Sequence, residues 1–248
     1  MAKTRAIRRL TETGKKKAPV VTPRELKRLL YVARDTRNPE RNELIVWLLF
    51  AAAFRITEVA VIEIKDVLWK SGKVRNQVII PAKYSKNGKA GHVFFYHRKL
   101  LKALEKYLNL RVEKKLLAVD SADYRGLKKD SKLILSDYRR PYSLKRKLRK
   151  RTDGTTAESW ACDTLQEAVT KWGRKAGIVG FTTHSGRRTL ATRIARKGGS
   201  EELLCALLRH ASDDMPYEYI DPDYAGIRKA LEELNANPDD EEYGKQGK

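Results

Sequence analysis

The chain has 248 residues, enough for one large domain or two small ones, and 41% of them are apolar. Its 53 basic against 31 acidic residues leave a formal charge of +22, which suits a polyanionic partner, because each neutralised phosphate releases condensed counterions. The composition argues against membranes, disulfides and zinc. The longest apolar run, Leu44 to Phe54, is about half of what a spanning helix needs, and no signal-peptide layout opens the chain. The two cysteines, Cys162 and Cys205, stand far apart outside any CxxC or His-rich context. A reducing, cytoplasmic setting fits.

Residues 1–21 carry Lys3, Arg5, Arg8, Arg9 and Lys15 to Lys17 against Glu12 alone. They read as a flexible basic arm that either lies along a phosphate backbone or stays solvated. Ordered structure is predicted from Thr22-Pro23-Arg24-Glu25, where a Thr cap, Pro at the first helical position and Glu at the third make a helix start. Leu26, Leu29, Leu30, Val32 and Ala33 supply its apolar stripe. A second helix over 41–53 is hydrophobic nearly all round and therefore central. Thr57 caps a short third helix with Val59, Val61 and Ile62. Residues 73–81 and 92–96, rich in Val, Ile and Phe, flank a Ser-Lys-Asn-Gly turn, which is a β-hairpin signal. Leu100 to Leu110 returns to helical spacing.

Residues 128–151 are strongly basic, with a short strand predicted at Leu133-Ile134-Leu135. Arg139, Arg140, Lys145, Arg146, Lys147 and Arg149 stand near Tyr138 and Tyr142. Cations interleaved with aromatics predict a phosphate-tracking loop or helix in preference to a solvated face. Asp153-Gly154-Thr155-Thr156 breaks the run. Helices are predicted at 164–175, ending at Gly177, then at 186–197, 201–208 and 216–234, before the acidic stretch Asp239 to Glu242. The fold class is therefore α+β, mainly α-helical, with a small antiparallel β-sheet. One domain covers 22–235, preceded by the arm and followed by a loose tail at 236–248.

The chemistry concentrates in the last third. His184 and Arg187 are three apart, so on a helix both side chains share a face. The turn from Gly177 to Thr183 sets His184 at the helix start, where backbone N–H groups also point at an anion. Arg187 can grip two phosphate oxygens through its planar fork. Alone, an H-x-x-R is weak, since most such pairs decorate surfaces.

Three segments together resemble the catalytic domain of the tyrosine recombinases, the phage integrase family. Ala52-Ala53-Phe54-Arg55-Ile56-Thr57-Glu58-Val59 resembles the T-G-L-R-x-S-E-L block. Thr183-His184-Ser185-Gly186-Arg187-Arg188-Thr189-Leu190-Ala191-Thr192 is similar to H-x-L-R-H-T-x-A-T. Leu207-Leu208-Arg209-His210-Ala211-Ser212 resembles L-G-H-S, and Tyr219 follows nine residues after the histidine. The resemblance runs through the whole domain and implies its fold.

It also implies roles. Arg55 and Arg187 clamp the non-bridging oxygens of a scissile phosphate as charge builds there. His184 acts in proton transfer, and His210 donates a hydrogen bond to the phosphate. A lysine of the hairpin turn protonates the leaving 5′-oxygen; Lys86 is preferred, with Lys83 and Lys89 as alternatives. Tyr219 is the nucleophile, chosen over Tyr217 and Tyr224 by its spacing, and it holds the broken strand as a 3′-phosphotyrosyl ester. Glu58 is structural support that orients a nearby cation. The ester conserves the bond energy, so neither metal nor nucleotide cofactor is implied, and no Walker-type glycine loop is present.

Several positions depart from the family pattern. Gly186 stands for Leu, expected to weaken packing beneath the helix. Arg188 stands for His and Arg209 for Gly, two cations expected to bind DNA beside the basic run. Only the short arm stands where many members carry a DNA-clamping domain. The implied partner is double-stranded DNA, gripped by a homotetramer of subunits that are monomeric in solution. Ile227, Ala230, Leu231 and Leu234 are the expected subunit contact. The competing readings are a type IB-like topoisomerase and a basic DNA-binding accessory protein that no longer uses the site.

Overall fold

The computed structural model describes residues 18–84, 90–150, 154–209 and 224–236. α1 (Pro23–Arg34) begins with the reciprocal cap its sequence predicts. Thr22 Oγ1 accepts from the Glu25 N–H at 3.3 Å, and the Glu25 carboxylate accepts from the Thr22 N–H at 2.8 Å. α2 (Pro39–Ala51) is buried continuously from Leu44 to Ala51. Short helices α3 (Ile56–Val61) and α4 (Ile64–Val67) precede strands β1 (Gln77–Ile80) and β2 (Gly91–Phe94). Then come α5 (Arg98–Glu113), β3 (Lys145–Lys150), β4 (Thr156–Ala161) and α6 (Asp163–Lys175). The chain continues through α7 (Ser185–Arg196), α8 (Glu201–Leu208) and α9 (Tyr224–Ala236). The mainly helical α+β class read from the sequence is the one observed.

α2 is the axis, with α1, α5 and α7 packed around it. Its burial on every side explains why it lacks a polar face. A second, smaller core joins Ala53 and Phe94 to Leu190 and Ile194 of α7, Leu207 of α8, and Ile227 and Leu231 of α9. β1 and β2 form an antiparallel pair with Ile80 opposite Gly91 and Gln77 opposite Phe94.

Several expectations are corrected. Ordered structure begins before Thr22: Val21 is buried and its N–H donates to Thr189 Oγ1 of α7 at 2.9 Å. Arg139 and Arg140 do lie in a segment without helix or strand, but the rest of the basic run is no loop or helix. Lys145 to Lys150 pair with Thr156 to Ala161 as a two-stranded ribbon, so the described residues hold two small sheets. Leu133 to Leu135 form no strand. The Leu135 carbonyl accepts from Arg41 at 3.0 Å, and those of Lys132 and Leu133 accept from the buried Arg111 at 2.7 and 3.1 Å. Side chains thus satisfy carbonyls that a neighbouring strand would otherwise pair, while the Leu133 N–H donates to the Ile62 carbonyl at 2.7 Å.

Gly186 does not loosen the core. A Cβ there would come within 2.5 Å of the Leu49 carbonyl oxygen, so the glycine is what lets α7 lie against α2. Ile227 and Leu231, expected at a subunit contact, are spent on the chain's own α7 and α8. Ala230 is half-buried. The side chain of Leu234 lies outside the described residues, as do the arm's first seventeen residues and the acidic tail.

Candidate active site

The site is assembled from three elements that the sequence keeps far apart. The first is the turn between α2 and α3. Ala53 there has φ +51°, a left-handed conformation that costs an L-residue roughly 1–2 kcal/mol. The turn leaves the buried Ala53 carbonyl available to side chains from elsewhere. Two residues on, the Arg55 N–H donates to Glu58 Oε2 at 2.6 Å and its guanidinium to Glu58 Oε1 at 2.8 Å. The Glu58 side chain is fully buried, so its charge is tolerable only because it is paired. Glu58 therefore orients Arg55, and it is shared with a second cation, Arg209.

The second element is the start of α7. Phe181 seats itself where Gly173 of α6 has no side chain, with its ring 6.4 Å from that of Phe50. That anchors the turn ahead of the helix. Thr182 Oγ1 accepts from the His184 N–H at 3.2 Å, and Ser185 Oγ accepts from the Thr182 N–H at 3.1 Å. His184 is thereby held exposed at the N-cap position, immediately before α7. Arg187, one turn further on, points inward and is 5% exposed. It donates to the Ala53 carbonyl at 2.5 Å and to the Leu208 carbonyl.

The third element is the end of α8. The Leu208 carbonyl also accepts from Arg55 at 3.4 Å, so Arg55 and Arg187 converge on a single oxygen. Arg209 takes the left-handed conformation, φ +49°, and closes the helix. Expected among the DNA contacts, it turns inward instead. Its guanidinium donates to Glu58 Oε2 at 2.6 Å and to the Ala53 carbonyl at 3.0 Å, with the side chain 7% exposed. Its own carbonyl accepts from Arg55 at 3.1 Å.

Three guanidiniums thus gather around one carboxylate, Arg55 and Arg209 in contact with it and Arg187 on neighbouring carbonyls, which leaves these four residues with two net positive charges. Burial first, then the nearness of Arg209 and Arg55, pulls the Arg187 guanidinium down to about 9. It stays charged at neutral pH. Burial also lowers Arg209, against the pull of Glu58. Chemically, a cluster of cations held at such cost is suited to meet negative charge, with donors already fixed.

The other site residues divide. Arg188, expected to touch DNA, donates to the Ala18 carbonyl and ties the incoming chain to α7. Arg139 and Arg140 are exposed beside Tyr138. On the ribbon, Lys145 and Lys147 face Asp163 at 3.3 and 3.0 Å, and Arg146 faces Glu158 at 2.7 Å. Arg149 lies in β3 opposite Ala157, with its side chain outside the described set. Thr57 Oγ1 donates to the Trp160 carbonyl at 3.3 Å, which moors the ribbon close to Arg55. Lys86, Lys89, His210, Tyr217 and Tyr219 lie outside the described residues, as do the side chains of Lys83 and Tyr224.

The Ala53 carbonyl and the inward role of Arg209 escape a reading of the sequence. The signal available for Arg209 is a bulky residue at a glycine position of the motif. Among the described residues no group of three or more His, Cys, Asp or Glu is placed to hold a metal, and no helix is long and apolar enough to cross a membrane.

The fold is a mainly helical domain in which a cluster of three arginines gathers on the Ala53 and Leu208 carbonyls and the Glu58 carboxylate. The phage integrase family model matches residues 19–225, and the chain belongs to that family. The tyrosine recombinase XerA of Pyrococcus horikoshii is 26% identical over 214 residues, which are 86% of this chain and 60% of the relative. The chain thus spans well under two thirds of that relative's length. Among solved structures, the XerA recombinase crystal structure superposes with a TM-score of 0.54 at 23% identity, covering 89% of this chain and 65% of the other. A pre-cleavage complex of the XerH site-specific recombinase bound to difH gives 0.50 at 19%, covering 89% and 58%.

Proposed function

We propose that the chain is a site-specific DNA recombinase that cuts and rejoins double-stranded DNA through a 3′-phosphotyrosyl intermediate on Tyr219. The observation that carries the reading is the convergence of Arg55 and Arg187 on one oxygen, the Leu208 carbonyl, within a cluster of excess positive charge. A scissile phosphate presents oxygens to the same donors. Its charge rises as the phenol attacks, and donors fixed beforehand stabilise that rise most. His184, at the exposed rim of α7, is suited to take and return the phenolic proton. Rejoining uses a 5′-hydroxyl in place of the tyrosine, so the cycle needs neither metal nor ATP. Strand exchange between two duplexes requires several subunits, and a homotetramer assembled on DNA from monomers is the arrangement proposed.

The test uses the full chain and a pool of nicked suicide duplexes with a randomised centre, which trap the ester because the cut end diffuses away. A covalent protein–DNA adduct is expected from the parental chain and from Tyr217→Phe, and none from Tyr219→Phe. Adducts that persist in Tyr219→Phe refute the assigned nucleophile. Absence of any adduct, with DNA still bound, favours the accessory-protein reading. Relaxation of supercoils without exchange between duplexes favours the topoisomerase.

A further inference from the structure

Arg209 stands where the family motif resembled by this chain has glycine, yet it is neither a surface cation nor a tolerated misfit. Four features of the fold accommodate it. Its backbone adopts the left-handed conformation a glycine would supply, φ +49°. Its side chain is 7% exposed and paired with the fully buried Glu58. It shares the Ala53 carbonyl with Arg187. Gly91 of β2 leaves the space its aliphatic stem fills: a Cβ at Gly91 would overlap Arg209 Cδ and lie 3.1 Å from its Cγ. We propose that Arg209 is a positioning residue of the cleavage reaction, setting the direction of Arg55 through Glu58 and supplying the third positive charge behind the scissile phosphate. The proposal rests on the recombinase reading above.

Without Arg209, Glu58 faces Arg55 alone in a closed, neutral pair, and Arg187 is the only uncompensated cation among the three residues that remain. With Arg209 on the same carboxylate, the Glu58 charge is divided and two net positive charges remain. A phosphodiester under attack gains negative charge. The second uncompensated cation therefore favours the transition state over the bound ground state, which raises the cleavage rate more than the affinity. The inward guanidinium is not built to touch DNA itself. It acts through Glu58.

Cleavage and binding are to be measured separately, on one suicide duplex recovered from the randomised pool. Single-turnover adduct formation gives the rate, and fluorescence anisotropy gives the affinity. Arg209→Gly is expected to slow cleavage about tenfold to a hundredfold, with affinity changed by less than about threefold. Arg209→Lys keeps the charge but not the fork, so part of the rate returns. Gly91→Ala displaces the Arg209 stem without altering Arg209, and it should slow cleavage in the parental chain while adding nothing in Arg209→Gly. If Arg209→Gly melts early, the Gly91→Ala comparison still decides. Parental cleavage in Arg209→Gly overturns the proposal. So do equal losses of rate and affinity, or a Gly91→Ala defect that persists in Arg209→Gly. No adduct from the parental chain overturns the recombinase reading instead, and this proposal falls with it.

Discussion

Arg187 and Arg209, 22 positions apart, donate to the same oxygen, the Ala53 carbonyl, at 2.5 and 3.0 Å. The Leu208 carbonyl is likewise shared, between Arg187 and Arg55. Each acceptor that holds Arg187 therefore keeps a second donor when Arg187 is removed. Arg187→Ala is expected to stay folded, because it deletes a buried cation that its neighbours repel and orphans no buried acceptor. Cleavage should fall by a factor of about 100 or more, the usual cost of losing a fixed donor to a developing oxyanion, with much of the DNA affinity retained. Adduct formation beside a binding isotherm checks both halves. Normal cleavage by this variant would remove Arg187 from the phosphate clamp.

Gly186→Ala tests the packing that delivers Arg187. The added Cβ would sit 2.5 Å from the Leu49 carbonyl oxygen and 2.7 Å from its carbonyl carbon, and backbone in the middle of a buried helix has nowhere to yield. A loss of about 1–3 kcal/mol is expected from overpacking, or a melting temperature lower by roughly 2–12 °C for a chain of this size. Since the next residue is Arg187, adduct formation should drop as well. A melt superimposable on the parent's would show slack between α7 and α2.

The ribbon makes a prediction about salt. Lys145, Arg146 and Lys147 are exposed and paired with carboxylates at 2.7–3.3 Å. Exposed pairs of this kind contribute little, so their carboxylates can be exchanged for phosphates. Replacing all three by Ala should flatten the dependence of log affinity on log salt by about 0.9 for each phosphate that is no longer neutralised. Cleavage at low salt should persist. An unchanged slope in anisotropy titrations would place the ribbon off the DNA.

Leaving-group chemistry can identify the general acid. Replacing Lys86 by Ala should slow cleavage by a factor of about 10²–10⁴, the range that acid–base catalysis contributes. A duplex with sulfur in place of the 5′-bridging oxygen should recover the rate, because a thiolate leaves without a proton. Rescue of the Lys83 or Lys89 variant in place of Lys86 would move the assignment to that residue.

How much can be read in advance follows from how local each signal is. The cap at Thr22, Pro23 and Glu25 is complete within four residues, and its hydrogen bonds are the expected ones. The apolar run of α2 announces a buried helix by length alone. The ribbon carries a local signal too. Gly154, between the two strands, has φ +82°, and a glycine in a connection of three to five residues is a hairpin signal; taking it only as a break after a charged run misses the hairpin. Leu133 to Leu135 mislead because the groups that satisfy carbonyls there, Arg41 and Arg111, come from distant helices.

By itself the sequence determined which groups are available: the arginines at 55 and 187, the histidine at the head of a helix, the charge for a polyanion. Those depend on spacing along one helix or turn, where three or four residues bring side chains together. Only the tertiary structure decided that Arg209 faces inward, that Ala53 and Leu208 lend their carbonyls, and that Gly186 lets two helices touch. Such facts turn on desolvation and on contact between segments more than a hundred residues apart, and neither leaves a mark in local periodicity.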